Sequence, residues 1–177
     1  NGMFASIDVS SDNTCGECHQ GTHHPFVEQW QASKHASSNF SYLRDRDECN
    51  VCHTAQGYLR SQGVVTSYPE WDDPKSDWLP IVCATCHDPH HTENPGNLRL
   101  PLDAASKENN LCISCHHKRA QPDVEAETTR GPHSPEGPLV LGEEVGWIPA
   151  GTVPPFDVLR GTHGSDRNER LCATCHV

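Results

Sequence analysis

Five times along the chain, two cysteines stand two residues apart and are followed at once by a histidine. The sets are Cys15/Cys18/His19, Cys49/Cys52/His53, Cys83/Cys86/His87, Cys112/Cys115/His116 and Cys172/Cys175/His176. All ten cysteines are used in this way. Nothing else in the sequence constrains the fold as strongly, because Cys-x-x-Cys-His is the attachment signature of c-type haem. The two thiols add across the haem vinyl groups as thioethers, and the histidine becomes the proximal axial ligand of the iron. Zinc sites also use Cys-x-x-Cys, but they need two such units per metal, or one unit with more distant histidines. Five is an odd number, and zinc gives no reason for a histidine at the next position every time. A thioredoxin-like motif would occur once, beside a βαβ pattern, and a disulfide framework needs no histidines. Five covalently bound haem c groups are therefore expected, with no thiol left over for a disulfide.

That haem content explains an otherwise poor composition. Only 34% of the 177 residues are apolar and 6% aromatic, against 14 prolines and 13 glycines. The chain offers one motif per roughly 35 residues, near the smallest unit that folds alone. The macrocycles must supply the core, and binding them should be coupled to folding. The expected fold is mostly irregular coil with a few short α-helices wrapped around a stack of covalently bound haems, with little β-structure. Residues 1–177 are expected to form a single pentahaem domain. The first cysteines step by 34, 34, 29 and 60 residues, and the last, doubled step contains a Pro/Gly-rich segment, 122–160, read as extended and without a haem motif. Short helices are expected over 25–38, 103–117 with Asp103 as its N-cap, and 166–176, and a short hairpin within 57–68.

The histidines complete the iron sites. Removing the five proximal residues from the thirteen histidines leaves eight: His23, His24, His35, His90, His91, His117, His133 and His163. A haem with two histidines is closed, low-spin and suited to electron transfer, and eight suffice for five distal positions. His35, His133 and His163 stand apart from any proximal histidine and are the best distal candidates. His117 directly follows His116, so it starts on the proximal side of that porphyrin and cannot reach across it. If His117 binds iron, it binds a different one. The same reasoning applies more weakly to His90 or His91 after His87, and to His23 or His24 after His19. Such spacings force haems close together. Met3, the single methionine, carries little weight as a ligand.

Thirteen Lys and Arg oppose 24 Asp and Glu, a formal net charge of −11, and haem propionates add to it. This argues against nucleic acid as a partner and allows basic ones. No stretch has the length and apolarity of a membrane span; the longest candidate, 137–151, is broken by Glu143 and Glu144. The chain opens at Asn1 without a signal peptide, as a processed chain would. Covalent haem attachment takes place outside the cytoplasm, so an exported protein is expected, periplasmic or extracellular.

The chain resembles the multihaem c-type cytochromes. Trp30, Ser33 and His35 in "WQASKH" resemble the element after the first haem in the family that includes the tetrahaem cytochromes of nitrifying bacteria, where the histidine is a distal ligand. "CATCHDPHH", "GPHSPEG" and "GTHGSDRNERLCATCH" resemble segments of exported multihaem cytochromes of metal-reducing bacteria and some archaea, some of which polymerise into extracellular filaments. The resemblance implies an electron carrier and not an enzyme. Its form would be a head-to-tail polymer of this chain that carries respiratory electrons to an external acceptor. Motifs close to both chain ends and surplus histidines suit such a polymer. The alternatives are a soluble periplasmic shuttle, or an electron-transfer subunit working with other redox proteins. A multihaem reductase is a weaker reading, because known pentahaem nitrite reductases place lysine where one motif histidine would be, and all five motifs here end in histidine. The "NFS" stretch at 39–41 matches a glycosylation acceptor pattern, which chance also produces.

Overall fold

The computed structural model describes residues 7–9, 14–64, 69–88, 93–106, 108–117, 133–142 and 161–176. These are mostly turns and coil with short helices, and their only β-type positions are isolated bridges at His87 and Leu98. The coil-rich, helix-poor expectation holds. By contacts the chain forms two compact units, Asn1–His91 and Thr92–Val177.

In the first unit, α1 (Phe26–Ala32) places Val27 in the core. It starts after Pro25, with Glu28 in its first turn, where a carboxylate complements the helix dipole. The helix expected over 25–38 breaks at Ser33, which is extended and whose hydroxyl donates to the Trp30 carbonyl at 2.7 Å. Serine competes with the helix ladder in this way. A separate 3-10 turn then covers His35–Ser37.

Helix α2 (Ser41–Arg44) leads into α3 (Asp47–His53), which contains the second motif, and α4 (Ala55–Ser61) follows after one residue. That residue, Thr54, has no exposed surface. Its hydroxyl donates to the Asn50 carbonyl at 2.9 Å and accepts from the Gly57 N–H at 3.1 Å, which caps α4. Five consecutive residues of α4, Ala55 to Leu59, are buried; Leu59 alone contributes about 2 kcal/mol of apolar burial. The helix ends on Gly63, at φ +68°. Its N–H bonds the Arg60 carbonyl, and the Val64 N–H bonds the Leu59 carbonyl, both at 3.0 Å. This is a Schellman ending. The hairpin expected at 57–68 is thus replaced by a capped helix in its described part. Arg60 lies over the rings of Trp71 and Trp78, 5.0 and 4.8 Å from their centroids.

Helix α5 (Cys83–Cys86) is itself the third motif. Ile7, Val9, Val27, Ala55, Val82 and Ala84 form one buried cluster, with Trp30, Leu79 and Cys83 against it.

In the second unit the helix expected over 103–117 does not form; residues 108–117 are turns around a buried Asn110. The side-chain oxygen of Asn110 accepts from the N–H groups of Cys112 and Ile113 at 3.0 and 3.1 Å. The N-capping role expected of Asp103 therefore falls to Asn110, immediately before the motif. Helix α6 (Glu136–Leu141) lies inside the segment expected to be extended; the remainder of that segment, 122–132 and 143–160, lies outside the described residues. Leu141 packs with Ile113 and Leu171 in a second buried cluster that Val140 and Cys172 adjoin. Of the helix expected over 166–176, only α7 (Ala173–His176) forms. Leu171, just before it, sits at φ +45°, a left-handed conformation that costs about 1–2 kcal/mol in a non-glycine residue.

Candidate haem sites

All five motifs share the backbone register of one helical turn. In four of them the histidine N–H donates to the carbonyl of the first cysteine: His19 to Cys15 at 2.9 Å, His87 to Cys83 at 2.9 Å, His116 to Cys112 at 3.0 Å and His176 to Cys172 at 3.1 Å. In the second motif the same register lies within α3. One helical turn puts residues i, i+3 and i+4 on a single face, so both thiols and the imidazole come out on one side. The residue after the first cysteine falls on the opposite side and is buried in every case: Gly16, Asn50, Ala84, Ile113 and Ala173. Each turn thus buries the residue after its first cysteine and carries both thiols and the imidazole on the other face, which is what thioether attachment and proximal ligation need.

The cysteines are not equally placed on those faces. Cys15, Cys49, Cys52, Cys83, Cys86, Cys112, Cys115 and Cys172 are half-buried, whereas Cys18 and Cys175 are exposed. In the folded polypeptide Cys18 and Cys175 stand at its surface. Cys18 and Cys175 are the second cysteines of the first and fifth motifs, and in both motifs it is the first cysteine that packs inward. Cys15 bonds the thiol of Cys83, and Cys172 adjoins the buried cluster of Ile113, Leu141 and Leu171. His19 and His176, which follow the two exposed thiols, are exposed as well. An exposed thiol on the same face as its partner is still open to a vinyl group, so the geometry suits attachment there.

The inward residues join the motifs in pairs. A side chain on Gly16 would meet the Val9 carbonyl at 2.8 Å and Val27 at 3.8 Å, and both valines share a cluster with Ala84 and Cys83 of the third motif. The hydrogen bond between the Cys15 and Cys83 thiols lowers the first to about 6 and, with burial, raises the second. In the second unit, Ile113 of the fourth motif shares a cluster with Cys172 of the fifth. Burial first, and then the neighbouring Cys172, push the Cys112 thiol up to about 11. Motifs one and three, and motifs four and five, are therefore brought side by side.

Side chains that the sequence reading passed over fix the motifs from behind. Asn110 Nδ2 donates to the carbonyls of Leu102 and Ala104 at 2.7 and 3.0 Å. Asn168 Nδ2 donates to the carbonyls of His163 and Leu171, and its oxygen accepts from the Thr174 hydroxyl inside the fifth motif. This ties the His163 backbone to that motif. Ser38 accepts at its hydroxyl from the Ile81 N–H and donates to the His53 carbonyl, both at 3.0 Å. It links the His35 turn to the second motif and to the approach to the third.

Ring-nitrogen partners define how several histidines are held. His53 Nδ1 lies 3.2 Å from the Ser38 carbonyl, His117 Nδ1 bonds the Ile113 carbonyl, and His116 Nδ1 lies 3.4 Å from Glu136 Oε2. A metal-binding histidine characteristically donates one ring N–H to a carbonyl or carboxylate, which leaves the other nitrogen's lone pair for the metal. His24 stands edge-on to His19 with ring centroids 6.2 Å apart, and Phe26 touches both rings. His23, His35 and His163 are exposed, and His133 is half-buried just before α6. His90 and His91 lie outside the described residues. Among the described residues no three His, Cys, Asp or Glu side chains converge as they would around a single bare ion. The side-chain amide of Asn39, the residue of the glycosylation pattern, donates to the Trp78 carbonyl at 2.8 Å.

Residues 81–121, which contain the third and fourth motifs, match a family model described as a doubled CXXCH motif. Over 137 residues the chain is 26% identical to the multiheme cytochrome MtrA of Shewanella baltica (strain OS185), covering 70% of this chain and 37% of that protein. These similarities support a multihaem c-type cytochrome. They fit an electron carrier rather than an enzyme. The chain spans little more than a third of the relative's length. No solved structure matches. Among the described residues no helix is long and apolar enough to cross a membrane.

Proposed function

We propose that residues 1–177 act as one pentahaem electron carrier, with a haem c at each motif and two histidines on each iron. The observation that carries this reading is the common turn: five times over, two thiols and an imidazole share one face while the residue after the first cysteine is buried. Bound haem supplies reversible one-electron chemistry, and bis-histidine ligation keeps it closed to small ligands. All ten cysteines are anchors in this reading, the exposed Cys18 and Cys175 included. His19, His53, His87, His116 and His176 are the proximal ligands. The distal ligands come from His23, His24, His35, His90, His91, His117, His133 and His163.

At a finer level, we propose that the protein is exported and works as a head-to-tail filament that carries respiratory electrons to an external acceptor. Eight further histidines against five distal positions favour it, since the surplus can serve a haem of the next subunit. A contact that does not close on itself propagates as a fibre. Purified native protein should show a mass increase of five haems, purely low-spin ferric spectra and no CO binding when ferrous, and it should appear as filaments by electron microscopy. A CO-reactive fraction near one haem in five would favour an enzyme. A homogeneous monomer with every iron closed would favour a soluble shuttle.

His117 is read as the distal ligand of an iron other than that of its own motif. Its Nδ1 is engaged by the Ile113 carbonyl, the arrangement expected of a ligand bound through Nε2. Replacing His117 with Ala should convert one haem to high-spin and leave five haems attached. A fully low-spin His117→Ala protein would refute this role.

A further inference from the structure

We propose that Glu136 tunes the haem attached through Cys112 and Cys115, lowering its reduction potential through the carboxylate contact to His116. The inference rests on the reading of His116 as an axial ligand. Helix α6 docks on the fourth motif at three points. The Gly137 N–H donates to the His116 carbonyl at 2.9 Å. Gly137 is buried, and a side chain there would meet Ile113 Cγ2 at 2.6 Å and the His116 carbonyl at 2.8 Å, so the approach is as close as glycine permits. Leu141 packs with Ile113 and Leu171 in the buried cluster. The residue carried in by this docking is Glu136, whose Oε2 lies 3.4 Å from His116 Nδ1.

The acceptor matters because the second motif is built differently. There the histidine's Nδ1 faces a neutral carbonyl, that of Ser38. A carboxylate draws the Nδ1 proton more strongly than a carbonyl does. It makes the imidazole a better electron donor at its other nitrogen, which favours ferric over ferrous iron. Hydrogen bonding around the axial ligand and local charge are recognised levers on haem potential. The Glu136 side chain is 60% exposed, so screening limits the size of the effect. Two carriers with the same ligands and the same thioether anchors thereby acquire different potentials from one residue 20 positions away in the chain.

The test is potentiometric titration of the wild-type and Glu136→Gln holoproteins, following individual haems by EPR. Glutamine keeps the length and the packing but offers a neutral acceptor. One haem should become easier to reduce, its reduced-to-oxidised ratio at fixed potential rising on the order of threefold to tenfold; tenfold is 59 mV for one electron. The g-values of the same haem should move, while the other four stay as they were. His116→Ala, run in parallel, separates the two ideas. If His116→Ala opens or loses one haem site and Glu136→Gln moves no potential, the tuning role is wrong. If His116→Ala disturbs no haem, the ligand reading beneath it is wrong. A uniform drift of all five potentials would mean a bulk charge effect and would also overturn the proposal.

Discussion

Replacing Asn110 with Ala is expected to destabilise the unit that contains it by roughly 3–5 kcal/mol. Asn110 has no exposed surface, and all four hydrogen-bonding positions of its amide are used. Two donors hold the carbonyls of Leu102 and Ala104, and the oxygen holds the N–H groups of Cys112 and Ile113. A net hydrogen bond contributes only about 1 kcal/mol, but a buried group left without a partner costs about 1–3 kcal/mol. Alanine would leave four such groups, some of which water can reach once the turn loosens. Asn109, the exposed neighbour of the same residue type, is the control, and Asn109→Ala should stay within about 0.5 kcal/mol of wild type. Denaturant unfolding of the holoprotein, followed by circular dichroism and the Soret band, measures both. An Asn110→Ala protein as stable as Asn109→Ala would show that the amide network adds nothing. Because the amide oxygen orients the N–H groups of the fourth motif itself, the Soret band should also report disorder at that haem.

The Asn110 turn marks where the sequence could be read and where it could not. The five motifs were legible because covalent chemistry demands a fixed residue type at every position, and the coil-rich fold followed from a composition too poor in apolar residues to make another core. The turn at 108–117 was not legible. "DAASKENNLCISCHH" scans as a capped helix from Asp103, and only burial reveals that Asn110 does the capping and that the chain before it loops back to place Leu102 and Ala104 on its amide. Thr54 and Gly63 did leave signals, a cap residue and a C-terminal glycine on either side of α4. Helix α6 was hidden by composition: Pro135 and Pro138 read as extended chain, although proline is tolerated in a first helical turn, which is where Pro138 falls. The pairing of motifs one with three and four with five had no local signature at all. It depends on Ala84 and Ile113, each between two cysteines, sharing clusters with residues packed against another motif. For the same reason the motif pattern, identical at all ten cysteines, could not tell the exposed Cys18 and Cys175 from the eight that are half-buried. The eight histidines outside the motifs could be counted from the sequence, but any assignment of them to irons depends on contacts made across a macrocycle.

Gly57→Ala should destabilise the first unit by about 2 kcal/mol or more, against the sign that helix propensity gives. In an ordinary helix interior, alanine in place of glycine is favourable by about 1 kcal/mol. Gly57 lies inside α4, so propensity alone predicts a gain. Here, however, the added methyl would stand 2.4 Å from the Asn50 carbonyl oxygen, 2.6 Å from its carbon and 2.6 Å from Thr54 Oγ1. The obstacle is backbone, and it cannot turn aside as a flexible side chain would. The same carbonyl accepts from the Thr54 hydroxyl and N–H, and Asn50 is the buried residue between the cysteines of the second motif. To admit the methyl, α4 must lift from α3, which breaks the Thr54 cap and exposes part of Ala55 to Leu59. Overpacking of this kind costs about 1–3 kcal/mol, occasionally more. Gly63→Ala provides the contrast. Nothing lies near its side-chain position, but its φ is +68°. Its expected cost of about 1–2 kcal/mol comes from the left-handed backbone alone. Chemical denaturation ranks the two. If Gly57→Ala matches or exceeds wild type, the close approach of α4 to the second motif is not a feature of the folded protein. If it is destabilised, the haem proposed at Cys49 and Cys52 should show the accompanying spectral change, because the clash falls on the backbone of that motif.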